Sequence, residues 1–96
     1  MTNDEGMLVN NVLDGLDRLF DRESKAVDLQ ALIFATSKAL SNTEHFAILN
    51  DAANSLEKIV CSELKAEDER DSALVVTNDL RIYLAEIWNK LYLKKD

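Results

Sequence analysis

The chain contains no proline and only two glycines in 96 residues, and this scarcity constrains its fold more than any other feature. Proline and glycine are the residues that most often interrupt helices, so their scarcity favours long helical segments. Apolar residues make up 47% of the chain, which argues against disorder, and no segment alternates polar and apolar residues for long enough to indicate a sheet. The sequence therefore predicts an all-α protein, and its length predicts a single helical domain over residues 1–96.

Apolar residues recur at steps of three and four in four segments, as one face of a helix requires. The predicted helices cover residues 4–21, 25–40 and 42–67, and a fourth runs from a cap at Asp71 or Ser72 to about residue 93. We expect Gly15 to lie inside the first helix, because the apolar stripe continues in phase beyond it. The polar run 67–71 is expected to form the last turn. Short connections favour antiparallel neighbours, so the sequence predicts an antiparallel up-down four-helix bundle.

The apolar stripes also predict the interior. We expect the second helix to be the most buried element, because it is apolar on two sides and Lys38 is the one charge between residues 28 and 43. Ser41 and Glu44 have the spacing of a capping box at the start of the third helix. Val76 is placed in the seam of the fourth helix. The predicted core comprises Leu13, Leu16, Phe20, Leu29, Leu32, Ile33, Leu49, Leu56, Val60, Leu80, Tyr83 and Ile87.

The chain is poorly equipped for chemistry, since it has one histidine and one cysteine. His45 has no second histidine and no cysteine near it in sequence, so we interpret it as a surface or capping residue. Cys61 is interpreted as a small packing residue at the edge of the third helix. We therefore predict no catalytic residue, no cofactor and no metal. A lone cysteine and the absence of a visible signal peptide predict a reducing, cytoplasmic location.

The charge balance constrains the partners. The chain has 18 acidic and 11 basic residues, for a net charge of −7. This charge disfavours nucleic acid and anionic membranes and favours a basic partner. Asp14, Asp17 and Asp21 lie within about 60° of one another on the first helix, away from its leucine face. They form either an acidic docking stripe or an ordinary solvated face.

Two further groups are candidates for contacting a partner. Glu67, Asp68 and Asp71 belong to the polar run, at what we expect to be a helix end where anions oppose the helix dipole. That conflict indicates a second contact, and the alternative is a polar turn. Trp88 and Tyr92 share a stripe with Leu74 and Arg81, and Trp, Tyr and Arg are enriched at interface hot spots. Trp88 or Tyr92 is the expected apolar anchor, unless the bundle covers Trp88 or the stripe makes a homodimer.

In size, charge and predicted helix content, over its whole length, the chain resembles the small acidic all-helical immunity proteins of bacteria. Those proteins act against nuclease toxins in contact-dependent inhibition and colicin systems, and no sequence motif carries the resemblance. It implies a non-catalytic protein that neutralises a basic toxin domain by covering its substrate site. The alternatives are a phage or plasmid regulator that binds a host protein, and a dimeric helical chaperone or assembly subunit.

Overall fold

The computed structural model describes the backbone of residues 2–92 and the side chains of residues 5–90. Within this part the chain forms helices and no strand, which confirms the all-α class. The described residues form five helices where the sequence predicted four, and a four-helix bundle is not confirmed. The helices are α1 (Thr2–Phe20), α2 (Ala26–Ala39), α3 (Phe46–Val60), α4 (Ala66–Val76) and α5 (Asn78–Tyr92).

The predicted third helix is too long at both ends. In the structure α3 begins at Phe46, and the predicted capping box of Ser41 and Glu44 is not formed. Instead the Thr43 hydroxyl accepts a hydrogen bond from the backbone N–H of His45 at 3.1 Å. α3 ends at Val60 and is followed by Cys61 as its C-cap. Cys61 is exposed, so its assignment as a packing residue is wrong.

The segment between α3 and α4 cannot continue the helix because Glu63 adopts a φ of 58°. This left-handed conformation is unfavourable for a residue with a side chain and is incompatible with a right-handed helix. The polar run that was predicted to be a turn lies instead inside α4. Glu67, Asp68 and Glu69 occupy its first turn. Acidic side chains are favourable there, at the positive end of the helix dipole. The interpretation of these acids as sitting at an unfavourable helix end is therefore wrong.

A break at Thr77 divides the predicted fourth helix into α4 and α5. Thr77 has a φ of −100° and a ψ of 2°, and its buried hydroxyl donates to the carbonyl of Ala73 at 2.7 Å. A threonine hydroxyl that bonds to the carbonyl four residues earlier is a known cause of helix bending. The backbone N–H of Arg81 still reaches the Thr77 carbonyl, so the chain resumes helical bonding at once.

The helices meet around one apolar core. α1 and α3 each contact both α2 and α5, and α4 contacts α1, α2 and α3. The predicted core residues that are buried are Leu16, Leu29, Ile33, Leu49, Leu56 and Leu80. Those that are half-buried and pack against this core are Leu13, Leu32, Val60, Tyr83 and Ile87.

Phe20 and Val76 were wrongly assigned to the interior. Phe20 is 48% exposed, and the guanidinium of Arg70 lies over its ring, 5.5 Å from the centroid. Val76 is 37% exposed at the end of α4. The second apolar face of α2 is also at the surface, since Val27 and Phe34 are both exposed. The expectation that α2 is buried on two sides is therefore wrong.

Gly15 lies within α1, as predicted, and it explains how closely α1 and α2 approach each other. A Cβ atom added to Gly15 would lie 2.8 Å from Cδ2 of Leu32 and 3.2 Å from Cδ1 of Leu29. A larger residue would therefore force these leucines to move. No helix in the described part of the chain is long and apolar enough to cross a membrane.

Candidate binding surfaces

The acidic stripe on α1 is largely neutralised within the chain. Asp14 accepts a hydrogen bond from Nε of Arg18, one turn later, at 3.0 Å. Asp17 accepts one from Nη2 of Arg81 on α5 at 3.1 Å. Of the three aspartates, Asp21 alone makes no side-chain hydrogen bond or ion pair with a described residue. The stripe is solvent-exposed, as expected, but two of its three charges already have basic partners. Its role in binding a partner remains a prediction.

The acids of α4 also include some that have a basic partner and some that have none. Glu67 forms a bidentate ion pair with Arg22, whose Nε and Nη2 donate hydrogen bonds to its two carboxylate oxygens at 3.1 Å each. These hydrogen bonds, and then the charge of Arg22, hold the pKa of Glu67 below its ordinary value. Asp71 lies 3.3 Å from Nη1 of Arg70, whereas Asp68 is exposed and makes no ion pair with a described residue. Glu67 thus ties α4 to the end of α1, which is a structural use of this carboxylate.

Arg70 also connects α4 to the end of α1, and the sequence analysis missed this role. Its side chain is 16% exposed, and it donates to the carbonyls of Leu19 at 3.2 Å and Phe20 at 2.7 Å. The last carbonyls of a helix have no partner within the helix, and a cation is favourable at that end. Arg22, which follows α1, has a φ of 64° at the end of this helix. An open cavity of about 390 Å³ beside the junction is lined by Arg22, Lys25 and Glu67 among others.

The predicted aromatic stripe does not form one continuous face, because the break at Thr77 separates Leu74 on α4 from the rest on α5. Leu74 and Trp88 are half-buried and pack against the core, and Arg81 pairs with Asp17. The side chain of Tyr92 lies outside the described residues. This contact with the core gives Trp88 a structural role in the fold. Its role as an anchor for a partner remains a prediction.

A more exposed apolar surface lies between α3 and the α4–α5 segment, and we call it the α3–α4 groove. Its apolar part consists of Ile48 and Ile59 on α3 with Val75 and Val76 on α4, and its acidic rim consists of Asp51, Asp71 and Asp79. Val75 is 74% exposed, the largest exposed fraction among the large apolar residues that the structure describes. Two shallow depressions of about 220 Å³ and 350 Å³ meet at Val76 and make up the groove.

Two of the three acids on the rim of the α3–α4 groove have no ion-pair partner among the described residues. Asp51 and Asp79 are exposed and make no ion pair with any described residue. None of the described residues that line the two depressions is basic. The sequence analysis missed this surface because it placed Val76 in the seam of a continuous fourth helix. The available signal was the adjacent pair Val75 and Val76, since Val76 alone was assigned to the seam and Val75 lies about 100° away from it on the helix.

A buried polar network joins α1, the start of α3 and α5. Nε2 of His45 lies 2.6 Å from a carboxylate oxygen of Glu5, and Nδ1 lies 2.8 Å from the hydroxyl of Tyr83. With its proton on Nε2, the imidazole donates to Glu5 and accepts from Tyr83, so both ring nitrogens are satisfied. His45 is 6% exposed, so its assignment to the surface is wrong. It precedes α3 as the N-cap residue, but its side chain makes no capping hydrogen bond.

The chemistry of this network suits a structural role. Burial, and then the negative charges of Glu44 and Glu5, raise the pKa of Tyr83 above its ordinary value of 10.0. A tyrosine in this setting keeps its proton at neutral pH, so its hydroxyl is available to donate a hydrogen bond to Nδ1 of His45 when the imidazole proton is on Nε2. Among the described side chains, no three His, Cys, Asp or Glu residues gather in a group that could hold a metal ion.

Comparisons of the chain with protein-family models, with curated protein sequences and with solved structures found no match.

Proposed function

We propose that this chain is a non-catalytic binding protein that recognises a basic protein in the cytoplasm. In its most specific form, the proposal is that the chain is an immunity protein and that the partner is a toxin nuclease whose substrate site it covers. The observation that carries the proposal is the distribution of paired and unpaired charge over the surface.

The four arginines of the chain are Arg18, Arg22, Arg70 and Arg81, and each of them holds a carboxylate of the same chain. Two of these pairs, Arg22 with Glu67 and Arg81 with Asp17, join different helices or their ends, and the surplus of acidic residues lies elsewhere on the surface. Asp21, Asp51, Asp68 and Asp79 are exposed and have no basic partner among the described residues. A surface of this kind repels phosphate and attracts basic groups.

A nuclease provides such basic groups, because its substrate site must attract the phosphates of a nucleic acid. Carboxylates that occupy this site compete directly with the substrate. The summed negative charge of the chain also speeds the encounter, and steering of this type raises association rates by about 10- to 1,000-fold at low salt. Apolar contacts are then needed to slow dissociation, since most differences in affinity between related complexes arise in the dissociation rate.

The test is a titration of nuclease activity. The gene next to the one encoding this chain is expressed, its product is purified, and its cleavage of nucleic acid is measured against increasing amounts of the chain. We expect inhibition to be complete at one chain per nuclease and the association rate to fall as the salt concentration rises. A neighbouring protein that binds the chain without being inhibited would contradict the toxin form of the proposal. A product that does not bind the chain at low or at high salt concentration would contradict the proposal as a whole.

A further inference from the structure

We infer that the α3–α4 groove is the surface that contacts the partner, and that it receives a short amphipathic segment with aliphatic side chains flanked by lysine or arginine. This inference rests on the proposed function and goes beyond it, because it assigns the contact to a surface outside the acidic stripe of α1.

The first argument is the exposure of two adjacent apolar side chains. Val75 is 74% exposed and Val76 is 37% exposed, and they are adjacent in the last turn of α4. Valine is a weaker helix former than alanine, lysine or glutamate, so an exposed valine pair contributes little to α4 itself. Contiguous exposed apolar surface with a polar rim is typical of a site that binds another protein. Ile48 and Ile59 of α3 extend this apolar surface on the facing helix.

The second argument is the charge of the rim. Asp51 and Asp79 lie beside the apolar surface and make no ion pair with any described residue. Asp71 has only the contact with Arg70 at 3.3 Å. The acidic stripe on α1 is the opposite case, because Asp14 and Asp17 are each held by an arginine. Acidic side chains without a partner around an apolar centre are complementary to a segment with basic side chains around an apolar centre.

The same charges decide between the occupants. A second copy of the chain would bring Asp51 and Asp79 close to acidic residues of its own kind, since a two-fold contact places the same patch on both sides. Like charges brought together in this way are repulsive. A nucleic acid would meet the same repulsion from its phosphates. A basic amphipathic segment of a protein is the occupant that satisfies both the apolar centre and the acidic rim.

The direct test uses a defined probe. A peptide of about 18 residues, or five helical turns, is built from leucine, alanine and lysine so that the leucines form one stripe flanked by lysines. It is titrated into the isotopically labelled chain, and amide chemical shifts are followed. We expect the changes to concentrate at the groove, around residues 48–59 and 71–79. A peptide with the same residues in scrambled order is the control for general attraction between charges. Equal binding of the scrambled peptide, or changes centred on α1, would overturn the inference.

Variants separate the apolar and electrostatic contributions. Val75→Gln keeps a helix-forming residue at an exposed position and should weaken peptide binding about tenfold, the effect expected from losing one buried aliphatic contact. Asp51→Asn combined with Asp79→Asn should weaken binding at low salt and flatten its salt dependence. The matched control is Asp14→Asn with Asp17→Asn, which removes the same charge from α1 and should have a smaller effect. Equal effects of the two double variants would contradict the inference.

The inference and the proposed function fail in different ways. If the nuclease binds the chain and Val75→Gln leaves its affinity unchanged, the groove is not the contact surface, whereas the proposed function stands. If the product of the neighbouring gene does not bind but the amphipathic peptide occupies the groove, the proposed function fails, whereas the assignment of the groove to a basic amphipathic segment stands. Sedimentation of the chain alone tests whether a second copy of the chain occupies the groove. Self-association that Val75→Gln abolishes would assign the groove to a homodimer and overturn the inference.

Discussion

Replacing Tyr83 by phenylalanine removes one hydroxyl group from the buried polar network and leaves the aromatic ring in place. In the native chain this hydroxyl lies 2.8 Å from Nδ1 of His45, which is 6% exposed and is held by Glu5 on its other nitrogen. The change leaves Nδ1 without a partner, and an unsatisfied buried acceptor costs about 1–3 kcal/mol. We expect the free energy of unfolding to fall by this amount. The melting temperature should fall by about 4–8 °C for each kcal/mol lost.

Urea unfolding followed by circular dichroism measures this loss, and a double-mutant cycle tests its cause. In a His45→Ala background the orphaned nitrogen does not exist, so Tyr83→Phe should then cost less than about 0.5 kcal/mol. If Tyr83→Phe costs the same in both backgrounds, the two residues are not coupled and the reasoning is refuted. A loss below about 0.5 kcal/mol in the native background would also refute it, because that is less than a buried unsatisfied group costs.

Because of the same hydroxyl, the free energy of unfolding should depend on pH in the alkaline range. The pKa of Tyr83 is raised above its ordinary value of 10.0 in the folded chain, first by burial and then by Glu44 and Glu5. As pH rises past that ordinary value, the unfolded chain loses the proton first, so the unfolded state is stabilised. Stability that is fully present below this pH is therefore lost above it. Tyr83→Phe should show a smaller alkaline loss than the native chain, and an equal loss would contradict the assignment.

Three further substitutions, two of them with a control variant, test the fold by the same urea titration. Leu56→Ala, at a fully buried position, should cost about 2–5 kcal/mol, whereas Leu64→Ala, at an exposed one, should cost less than about 1 kcal/mol; a loss below about 1 kcal/mol at Leu56 would mean that α3 is in the wrong rotation. Glu63→Gly should stabilise the chain by about 0.5–1 kcal/mol because glycine tolerates the φ of 58°, and Glu63→Ala should not. Gly15→Val should destabilise it by about 1–3 kcal/mol, since its side chain would meet Leu32 and Leu29; a neutral outcome would mean that α1 and α2 separate easily.

The parts of the fold that local periodicity determines could be predicted from the sequence. The apolar stripes of α1 and α2 predicted these helices close to their actual bounds, and they placed Leu16, Leu29 and Ile33 in the core. Residues at steps of three and four share one face of a helix wherever that helix packs. The helical position of Gly15 followed from the same argument.

The helix ends in the second half of the chain could not be predicted in this way. A run of acidic residues is equally typical of a polar turn and of the first turn of a helix, and the choice of a turn for residues 67–71 was wrong. The break at Thr77 depends on which carbonyl its hydroxyl bonds, and threonine alone does not specify that. Once the break was missed, Val76 was placed in a seam that does not exist.

Contacts between residues distant in sequence were the hardest to predict. Glu5, His45 and Tyr83 lie on three different elements, and no local pattern indicates that they meet. The same holds for Arg70, whose sequence neighbours are acidic but whose guanidinium bonds the carbonyls at the end of α1. The candidate acids Asp14, Asp17 and Glu67 were identified by charge density, which does not reveal that arginines from other positions hold Asp17 and Glu67.

Hydrogen exchange of the chain, measured alone and in the presence of the purified product of the neighbouring gene, tests the central claim most directly. The claim is that this acidic helical protein neutralises a basic protein through the α3–α4 groove. We expect the complex to protect amides around residues 48–59 and 71–79 from exchange, and we expect little change along α1. Protection centred on Asp14, Asp17 and Asp21, or a pattern identical to that of the free chain, would contradict the claim.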